Sequence, residues 1–316
     1  MIFIFILAKT DYVLAKEKEK NKMHGSRDES LAGSRGRAPY IKKQKGEEMN
    51  ELQIYLLVLT IVLGLCVGSF LNVVIYRLPI HMSLARPASH CPKCNYKLKW
   101  YDNIPVFSYI FLRGKCRNCG EKISIRYPII ELLNMLLWLA CLTMFTDVFI
   151  KTNTNDYVMF GVSALACSAL VCVFCTDLEH MEIPDELQVF LLILGLVSMF
   201  SNGVPATEKV LGFLIGGGFF ALVYYAFYFI KKRECLGWGD VKLIAVCGLI
   251  LGFKSSILAI ILSSVFGAII LLILSLSKKE ESNKEYPFAT FIVPACIFAM
   301  LFGGYVVSWY MSLFAI

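Results

Sequence analysis

The sequence predicts an all-α polytopic membrane protein with about eight transmembrane helices and a cytoplasmic four-cysteine loop after the first. Three observations support this fold class. Of the 316 residues, 57% are hydrophobic, whereas soluble domains contain roughly 45–50%. The apolar residues are gathered into long uncharged runs, and about 20 helical residues suffice to cross a hydrocarbon core. Two Cys-x-x-Cys pairs stand in the loop after the first run.

Seven runs have membrane-spanning length, and one further run is short. The long runs are 52–76, 127–146, 157–175, 187–207, 210–230, 255–277 and 286–316. The second of them carries one charge, Glu131. The short run 243–253 lies between Lys242 and Lys254, so a span of ordinary length there would draw Asp240 into the membrane border. Ionisable groups at that depth are costly and indicate function. A short interfacial or re-entrant segment is the alternative.

The distribution of positive charge predicts the orientation. With eight spans, the loops 77–126, 176–186, 231–240 and 277–286 share one side and contain 16 Lys and Arg, whereas the opposite loops contain three. The positive-inside rule places the first set in the cytoplasm. We therefore expect a protein of the cell membrane whose first span begins outside and whose four-cysteine loop is cytoplasmic.

The first 48 residues conflict with this orientation. They carry 11 Lys and Arg, which the same rule would keep in the cytoplasm. Their apolar start is shorter than a span and has no basic region before it, so it is a poor signal peptide. The remainder is polar and typical of disorder. The hypothesis is that translation starts at Met49 and that residues 1–48 are not translated.

The four-cysteine loop predicts a metal site. Two Cys-x-x-Cys knuckles at this spacing are typical of a tetrahedral thiolate site for one zinc ion. Four sulfur ligands leave no open position, so the zinc is expected to be structural and to fold a loop too small to fold alone. The predicted ligands are Cys91, Cys94, Cys116 and Cys119.

The predicted domains follow from the spans and this loop. Residues 1–48 form the polar extension, 49–79 contain the first transmembrane helix, 80–126 form the zinc-binding loop, and 127–316 contain seven further transmembrane helices.

Two carboxylates are predicted at the same membrane depth. Asp177 stands where the run 157–175 ends, and Asp240 stands where the short run begins, both at the cytoplasmic border. Two aspartates that meet can hydrolyse a peptide bond, because one ionised carboxylate deprotonates a water while the other, protonated, polarises the carbonyl. Gly237 and Gly239 would let backbone or substrate approach Asp240 closely.

Other roles stay open for these acids. Asp177 also fits an interfacial charge that ends a helix, and Asp240 fits an N-cap. Asp185 is the rival for either catalytic role, although it follows Ile183-Pro184 and suits the start of the next helix. The acidic turn formed by Glu179, Glu182, Asp185 and Glu186 is either a solvated turn or a docking surface for a positively charged peptide.

These residues belong to a wider set of motifs. The chain from about Met49 to its end resembles the prepilin leader peptidases, membrane proteases of the GxGD aspartyl class. The resemblance rests on both cysteine pairs and on GSFLNVVIYRLP at 68–79, YDNIP at 101–105, RGKCRNCG at 113–120, ISIRYPIIE at 123–131, DLEHMEIPD at 177–185 and GWGD at 237–240. One departure is Pro287-Phe288-Ala289-Thr290-Phe291, where many relatives have Pro-Phe-Gly-Pro-Phe.

The resemblance implies a function in two steps. Asp177 and Asp240 would be the catalytic pair that removes short basic leaders from type IV prepilins or pseudopilins, after a glycine, at the cytoplasmic face. The resemblance also implies N-methylation of the new terminus with S-adenosylmethionine in the region of the zinc loop. By the same resemblance, Gly68, Asp102, Lys115 and Glu131 are predicted to bind this cofactor. For Glu131, a buried residue that pairs helices is the alternative.

Two other classes of function compete with a protease. A non-enzymatic zinc-loop scaffold for pilus or secretion assembly would not need the two aspartates. A transporter would use them as an ion relay, but no repeated half-structure supports that interpretation. No pattern predicts nucleic-acid binding, and the net charge of +7 is accounted for by the cytoplasmic loops and the first 48 residues. The lipid bilayer is the remaining expected partner.

Overall fold

A computed structural model describes residues 51–146, 154–201, 204–232, 237–277 and 287–314. The predicted extension 1–48 lies outside these residues. The described helices are, in chain order, α1 (Glu51–Arg77), a 3-10 turn (Trp100–Asn103), α2 (Phe107–Phe111), α3 (Arg126–Phe145), α4 (Thr154–His180), α5 (Asp185–Ser198), α6 (Ala206–Lys231), α7 (Trp238–Leu251), α8 (Phe253–Ser277) and α9 (Ala289–Phe314). The predicted all-α architecture is confirmed, with the cysteine loop after the first helix.

Six of these helices, α1, α3, α4, α6, α8 and α9, are long and apolar enough to cross a membrane. Helices α5 and α7 have 14 residues each, about 21 Å at 1.5 Å per residue, which falls short of a hydrocarbon core of about 30 Å. For α7 this agrees with the short run at 243–253. The run 187–207, however, is predicted to span, and α5 ends at Ser198.

A buried lysine explains where α5 ends. Lys209 lies in the first turn of α6 without exposed surface, whereas the charge pattern places it in an extracytoplasmic loop. Its Nζ donates to the carbonyl oxygen of Ser198 and to Ser201 Oγ at 3.4 Å. A cation at a helix C-terminus satisfies carbonyls that have no partner within the helix. Helix α5 can therefore end among buried residues without leaving the carbonyl group of Ser198 unpaired.

Helices α6 and α7 are in backbone contact. A Cβ built on Gly248 of α7 would overlap the carbonyl oxygen of Gly212 in α6, and a Cβ built on Gly212 would overlap that of Gly248. Close approach through glycine is how membrane helices gain packing energy. Helix α7 also contacts α5, α8 and α9, and its residues Val241 and Leu243 to Ile250 are all buried. Protein therefore surrounds this short helix.

Polar side chains join α1, α3 and α4. Asn134, fully buried in α3, donates to the carbonyl oxygen of Gly64 at 2.8 Å and accepts from Ser168 Oγ at 2.7 Å. Trp138 Nε1 donates to the same Ser168 oxygen at 2.9 Å. Such interhelical hydrogen bonds hold helices together in a bilayer. The outer faces expose large apolar side chains, among them Leu222, Ile261 and Leu272, where lipid is expected.

Candidate active site

Asp177 lies in the last turn of α4 and is 4% exposed. The backbone N–H of Thr290 donates to its Oδ2 at 3.0 Å, and the backbone N–H of Ala289 also bonds to its carboxylate. Both donors belong to the start of α9. A contact across 113 residues of sequence therefore orients this carboxylate.

Asp240 lies in the first turn of α7 and is 6% exposed. Gly237, not Asp240, is the N-cap of the helix, so the N-cap alternative for Asp240 is wrong. The backbone N–H of Asp240 donates to the Gly237 carbonyl at 3.1 Å. A Cβ built on Gly237 would lie 3.1 Å from Asp240 Oδ2, and glycine therefore leaves the carboxylate room to fold back over the helix start.

Both aspartates line one cleft of about 450 Å³. The cleft is also lined by Leu78 and Pro79, which follow α1, by residues 181–186 at the junction of α4 and α5, and by residues 237–240. No described Lys, Arg or His forms an ion pair with either aspartate. Asp185, the rival, also lines the cleft, but its side chain is 74% exposed and pairs with Lys242 at 3.0 Å.

A glutamine holds the second glycine of the GWGD segment. Gln188 of α5 is 5% exposed and its Nε2 donates to the carbonyl oxygen of Gly239 at 3.3 Å. A Cβ built on Gly239 would contact Ile183 at 3.4 Å. The other amide atom, Gln188 Oε1, has no hydrogen-bond partner among the described residues. Sequence reasoning missed Gln188, although an amide within the apolar run 187–207 was the signal.

The acidic turn beside the cleft divides into two kinds of residue. Glu179 pairs with Arg126 at the start of α3, and Asp185 pairs with Lys242. Glu182 and Glu186 line the cleft, and the described residues supply no ion-pair partner for them. These two carboxylates are therefore the ones in the acidic turn that no described cation pairs with.

The four cysteines of the loop come together. Their sulfur atoms all lie within 4.8 Å of one another, with Cys91–Cys119 at 3.9 Å and Cys94–Cys116 at 4.0 Å. A tetrahedron of sulfurs with Zn–S bonds of about 2.3 Å has edges of roughly 3.8 Å. The arrangement therefore fits a four-coordinate metal ion.

Backbone geometry shapes each cysteine knuckle. Asn95 and Gly120, which follow the two pairs, have positive φ angles of 55° and 73°, a conformation that asparagine and glycine adopt most readily. Their N–H groups donate to the carbonyl oxygens of Cys91 and Cys116, both at 2.9 Å. In each Cys-x-x-Cys segment, the turn brings the two thiols to the same side of the backbone.

Two of the four thiols have pKa values shifted in opposite directions. Hydrogen bonds from the Tyr96 backbone and the Asn118 side chain lower the pKa of Cys94 to about 6. For Cys119, a backbone hydrogen bond from Glu121 favours the thiolate, but burial and the other three thiols raise the pKa to about 12. Four thiolates at this range repel one another, so a bound cation is what would allow all of them to ionise.

The four residues predicted to bind S-adenosylmethionine lie in two places. Gly68 of α1 packs on α3, where its Cβ would lie 2.7 Å from Glu131 Cα. Glu131 Oε2 accepts the backbone N–H of Val106 at 2.7 Å, which attaches the loop to the membrane helices. Asp102 is buried and accepts from Arg117 at 2.8 Å. Lys115 is exposed and pairs with Lys122 through its backbone.

Val106, the residue that bonds to Glu131, has a φ of 61°. A β-branched residue rarely adopts this conformation, which stores strain of about 1–3 kcal/mol. The hydrogen bond from the Val106 N–H to the buried carboxyl of Glu131 offsets part of this strain. The structure therefore brings Gly68, Glu131 and the start of α2 together.

Comparisons with known proteins point to one family. Residues 62–145 match the bacterial Peptidase A24 N-terminal domain, and residues 164–272 match the type IV leader peptidase family. Three similar proteins are each named prepilin leader peptidase/N-methyltransferase. The relative from Myxococcus xanthus is 38% identical over 72% of this chain and 67% of its own length. The relative from Aeromonas salmonicida is 33% identical over 80% of this chain and 93% of its own length. The relative from Pectobacterium carotovorum is 32% identical over 77% of this chain and 92% of its own length. No solved structure matches.

Proposed function

Because this chain belongs to the type IV leader peptidase family, we propose that it is a prepilin leader peptidase/N-methyltransferase in which Asp177 and Asp240 cleave the peptide bond. One observation carries the assignment of the residues: two buried carboxyls from different helices line the same cleft. Buried acids that serve structure alone are ordinarily paired with cations, and the described residues provide no such pair.

The two carboxyls divide the work of hydrolysis. The ionised one takes a proton from a water molecule, whose oxygen adds to the scissile carbonyl carbon, while the protonated one donates to the carbonyl oxygen. When the carbon–nitrogen bond breaks, the amide nitrogen leaves with a proton returned by a carboxyl. The hydrogen bonds from Ala289 and Thr290 keep Asp177 in place during these steps, and Gly237 leaves room for the Asp240 carboxylate over the start of α7.

The substrate proposed is a type IV prepilin or pseudopilin with a short basic leader. Glu182 and Glu186 line the cleft and attract the positively charged leader, and complementary charge of this kind guides a partner into register. The proposed topology places this turn and the cysteine loop in the cytoplasm of the cell membrane, as the distribution of Lys and Arg suggests.

Zinc is the metal proposed for the four cysteines. A closed set of four thiolates suits structural zinc and leaves no position for substrate. Cys91, Cys94, Cys116 and Cys119 would hold the ion, and its role is to fold the loop.

S-adenosylmethionine is the methyl donor proposed for the second activity. The residues predicted to bind it do not form a prepared site. The Glu131 backbone fills the space beside Gly68. The Glu131 carboxylate already accepts a hydrogen bond from the Val106 N–H, and Asp102 already forms an ion pair with Arg117. As arranged in this structure, the four residues do not fit S-adenosylmethionine, and their role in binding it stays a prediction.

The test is co-expression of the full chain with a tagged prepilin, read by intact mass. We expect the wild type and the Asp185→Asn control to remove the leader and to add a methyl group to the product. Asp177→Asn and Asp240→Asn should each lower cleavage by at least about 100-fold. Cleavage at the wild-type rate in either variant would refute the two-aspartate mechanism, and an intact precursor with the wild type would refute the substrate.

A further inference from the structure

Residues 100–112, between the two cysteine pairs, expose large apolar side chains although they belong to a loop. Phe107, Ile110 and Phe111 of α2 are 54%, 61% and 81% exposed. Trp100, at the start of the 3-10 turn, is exposed as well. Apolar groups gathered on a surface in this way mark a contact with another protein or with a membrane.

The same segment exposes no charge. Its one acidic residue, Asp102, is buried and paired with Arg117, and the segment contains no Lys or Arg. Exposed basic residues stand at its two ends, Lys99 before it and Arg113 after it. Apolar side chains between basic residues are typical of segments that lie in a membrane interface, where lipid phosphates attract the cations.

A hydrogen bond sets the depth of α2 relative to the membrane-spanning helices. The backbone N–H of Val106, the N-cap of α2, donates to Glu131 Oε2 at 2.7 Å. Glu131 lies five residues after Arg126, where the candidate span α3 begins, and five residues correspond to about 7.5 Å along a helix axis. The start of α2 is therefore attached to the first turns of a span, and interfacial helices lie at such depths, about 5–10 Å into the border of the bilayer.

The part of α3 that holds α2 is itself apolar on its outer surface. Ile129, Leu132 and Leu133 stand on either side of Glu131 in the chain, and all three are exposed. Exposed apolar side chains of a membrane span face lipid. Lipid is therefore present at the depth at which Glu131 holds α2.

We propose that residues 100–112 form an interfacial anchor that inserts its apolar side chains into the leaflet on the side of the cysteine loop. The partner is phospholipid: Phe107 and Phe111 contact acyl chains close to the headgroups, and Lys99 and Arg113 contact lipid phosphates. The anchor holds the cysteine loop against the bilayer, and it does not depend on the chemistry of the catalytic cleft.

Photocross-linking identifies the partner. A photoreactive phenylalanine analogue replaces Phe111 in the full chain, which is reconstituted in vesicles of phosphatidylethanolamine and phosphatidylglycerol, irradiated and analysed by mass spectrometry for adducts. Two exposed positions are the controls: Leu222, on the outer surface of α6, and Glu121, in the second cysteine knuckle. All three side chains are exposed, so the replacement removes little core packing.

We expect phospholipid adducts from positions 111 and 222 in a yield at least about fivefold above that from position 121, because only the first two positions reach acyl chains. Addition of a purified prepilin should leave the adduct at position 111 unchanged. Equal yields at positions 111 and 121 would overturn the anchor. A prepilin adduct that replaces the phospholipid adduct would also overturn it, since the surface would then bind substrate.

Hydrogen exchange in the same vesicles gives a second readout. Phe107→Ser/Phe111→Ser weakens insertion, so the backbone N–H groups of residues 107–112 should exchange at least about tenfold faster than in the wild type. The N–H groups of Asn95 and Gly120, which are bonded within the cysteine knuckles, serve as the internal reference and should keep their rates. Unchanged exchange in residues 107–112 would contradict the anchor, and so would equal acceleration in the knuckles, because the phenylalanines would then stabilise the loop itself.

Discussion

The backbone N–H of Thr290 donates a 3.0 Å hydrogen bond to the Oδ2 atom of Asp177. The donor is the second residue of α9 and the acceptor lies at the end of α4. The backbone N–H groups at a helix N-terminus have no acceptor within the helix. Asp177 supplies an acceptor for one of these N–H groups in α9, and the hydrogen bond in turn fixes the orientation of the Asp177 carboxylate. The cleft therefore depends on the last helix as well as on the two that carry the aspartates.

Removal of this one donor should slow cleavage. Thr290→Pro deletes the N–H, and proline is tolerated in the first turn of a helix, so α9 should still form. A hydrogen bond to a charged group contributes about 1.5–3 kcal/mol, so we expect kcat/KM for leader removal to fall by at least about tenfold. Thr290→Ala keeps the N–H and should cleave nearly as the wild type does. Equal rates for the two variants would show that this bond does not support catalysis.

The contact between α6 and α7 should be intolerant of a single methyl group. Gly248→Ala places a Cβ against the Gly212 carbonyl, and overpacking against backbone costs about 1–3 kcal/mol or more. We expect a lower midpoint of thermal unfolding in detergent and slower cleavage, because α7 carries Asp240. Gly218→Ala is the matched control: its Cβ meets nothing within 4 Å, and alanine is the better helix former by about 1 kcal/mol. If Gly248→Ala were as stable as Gly218→Ala, the backbone contact would not be needed.

The ion pair of Asp102 and Arg117 should stabilise the cysteine loop. The Asp102 side chain has no exposed surface, and Arg117 binds it through two nitrogens. Asp102→Asn should destabilise the loop by about 1–3 kcal/mol, because a buried charged hydrogen bond is weakened. Glu121→Gln removes the exposed pair with Lys93 at 3.8 Å and should change stability by less than about 1 kcal/mol. Hydrogen exchange of residues 91–119 measures both, and similar effects from both variants would contradict the expectation.

Loss of the metal should unfold the loop. Cys116→Ser removes one of four ligands, and Cys66→Ser, an exposed free thiol in α1, serves as the control. We expect the first variant to retain little zinc by elemental mass spectrometry and to be cut by protease between α1 and α3, while the second behaves as the wild type does. Methylation should fall more than leader cleavage, because the aspartates lie outside the loop. Full zinc content in Cys116→Ser would contradict a four-thiolate site.

The cysteine cluster and the two aspartates were predictable because their signals are local in the sequence. The spacing of the cysteines predicts their cluster, and uncharged runs place Asp177 and Asp240 at one depth, where the structure has them in one cleft. Contacts between distant segments were not predictable. Neither hydropathy nor spacing indicates that Arg126 pairs with Glu179, that Gln188 binds Gly239, or that Lys209 is buried. Each depends on how the helices pack, which the apolar pattern of a single helix does not encode.

Because protein surrounds α7 and its residues from Leu243 to Ile250 are buried, the helix has little contact with lipid. A membrane that becomes thicker or thinner acts on the exposed outer spans, which respond by tilting. The membrane exerts little direct force on α7, because the glycine contacts with α6 set the depth of this helix. Asp240 should therefore keep its position relative to Asp177 across bilayers of different thickness.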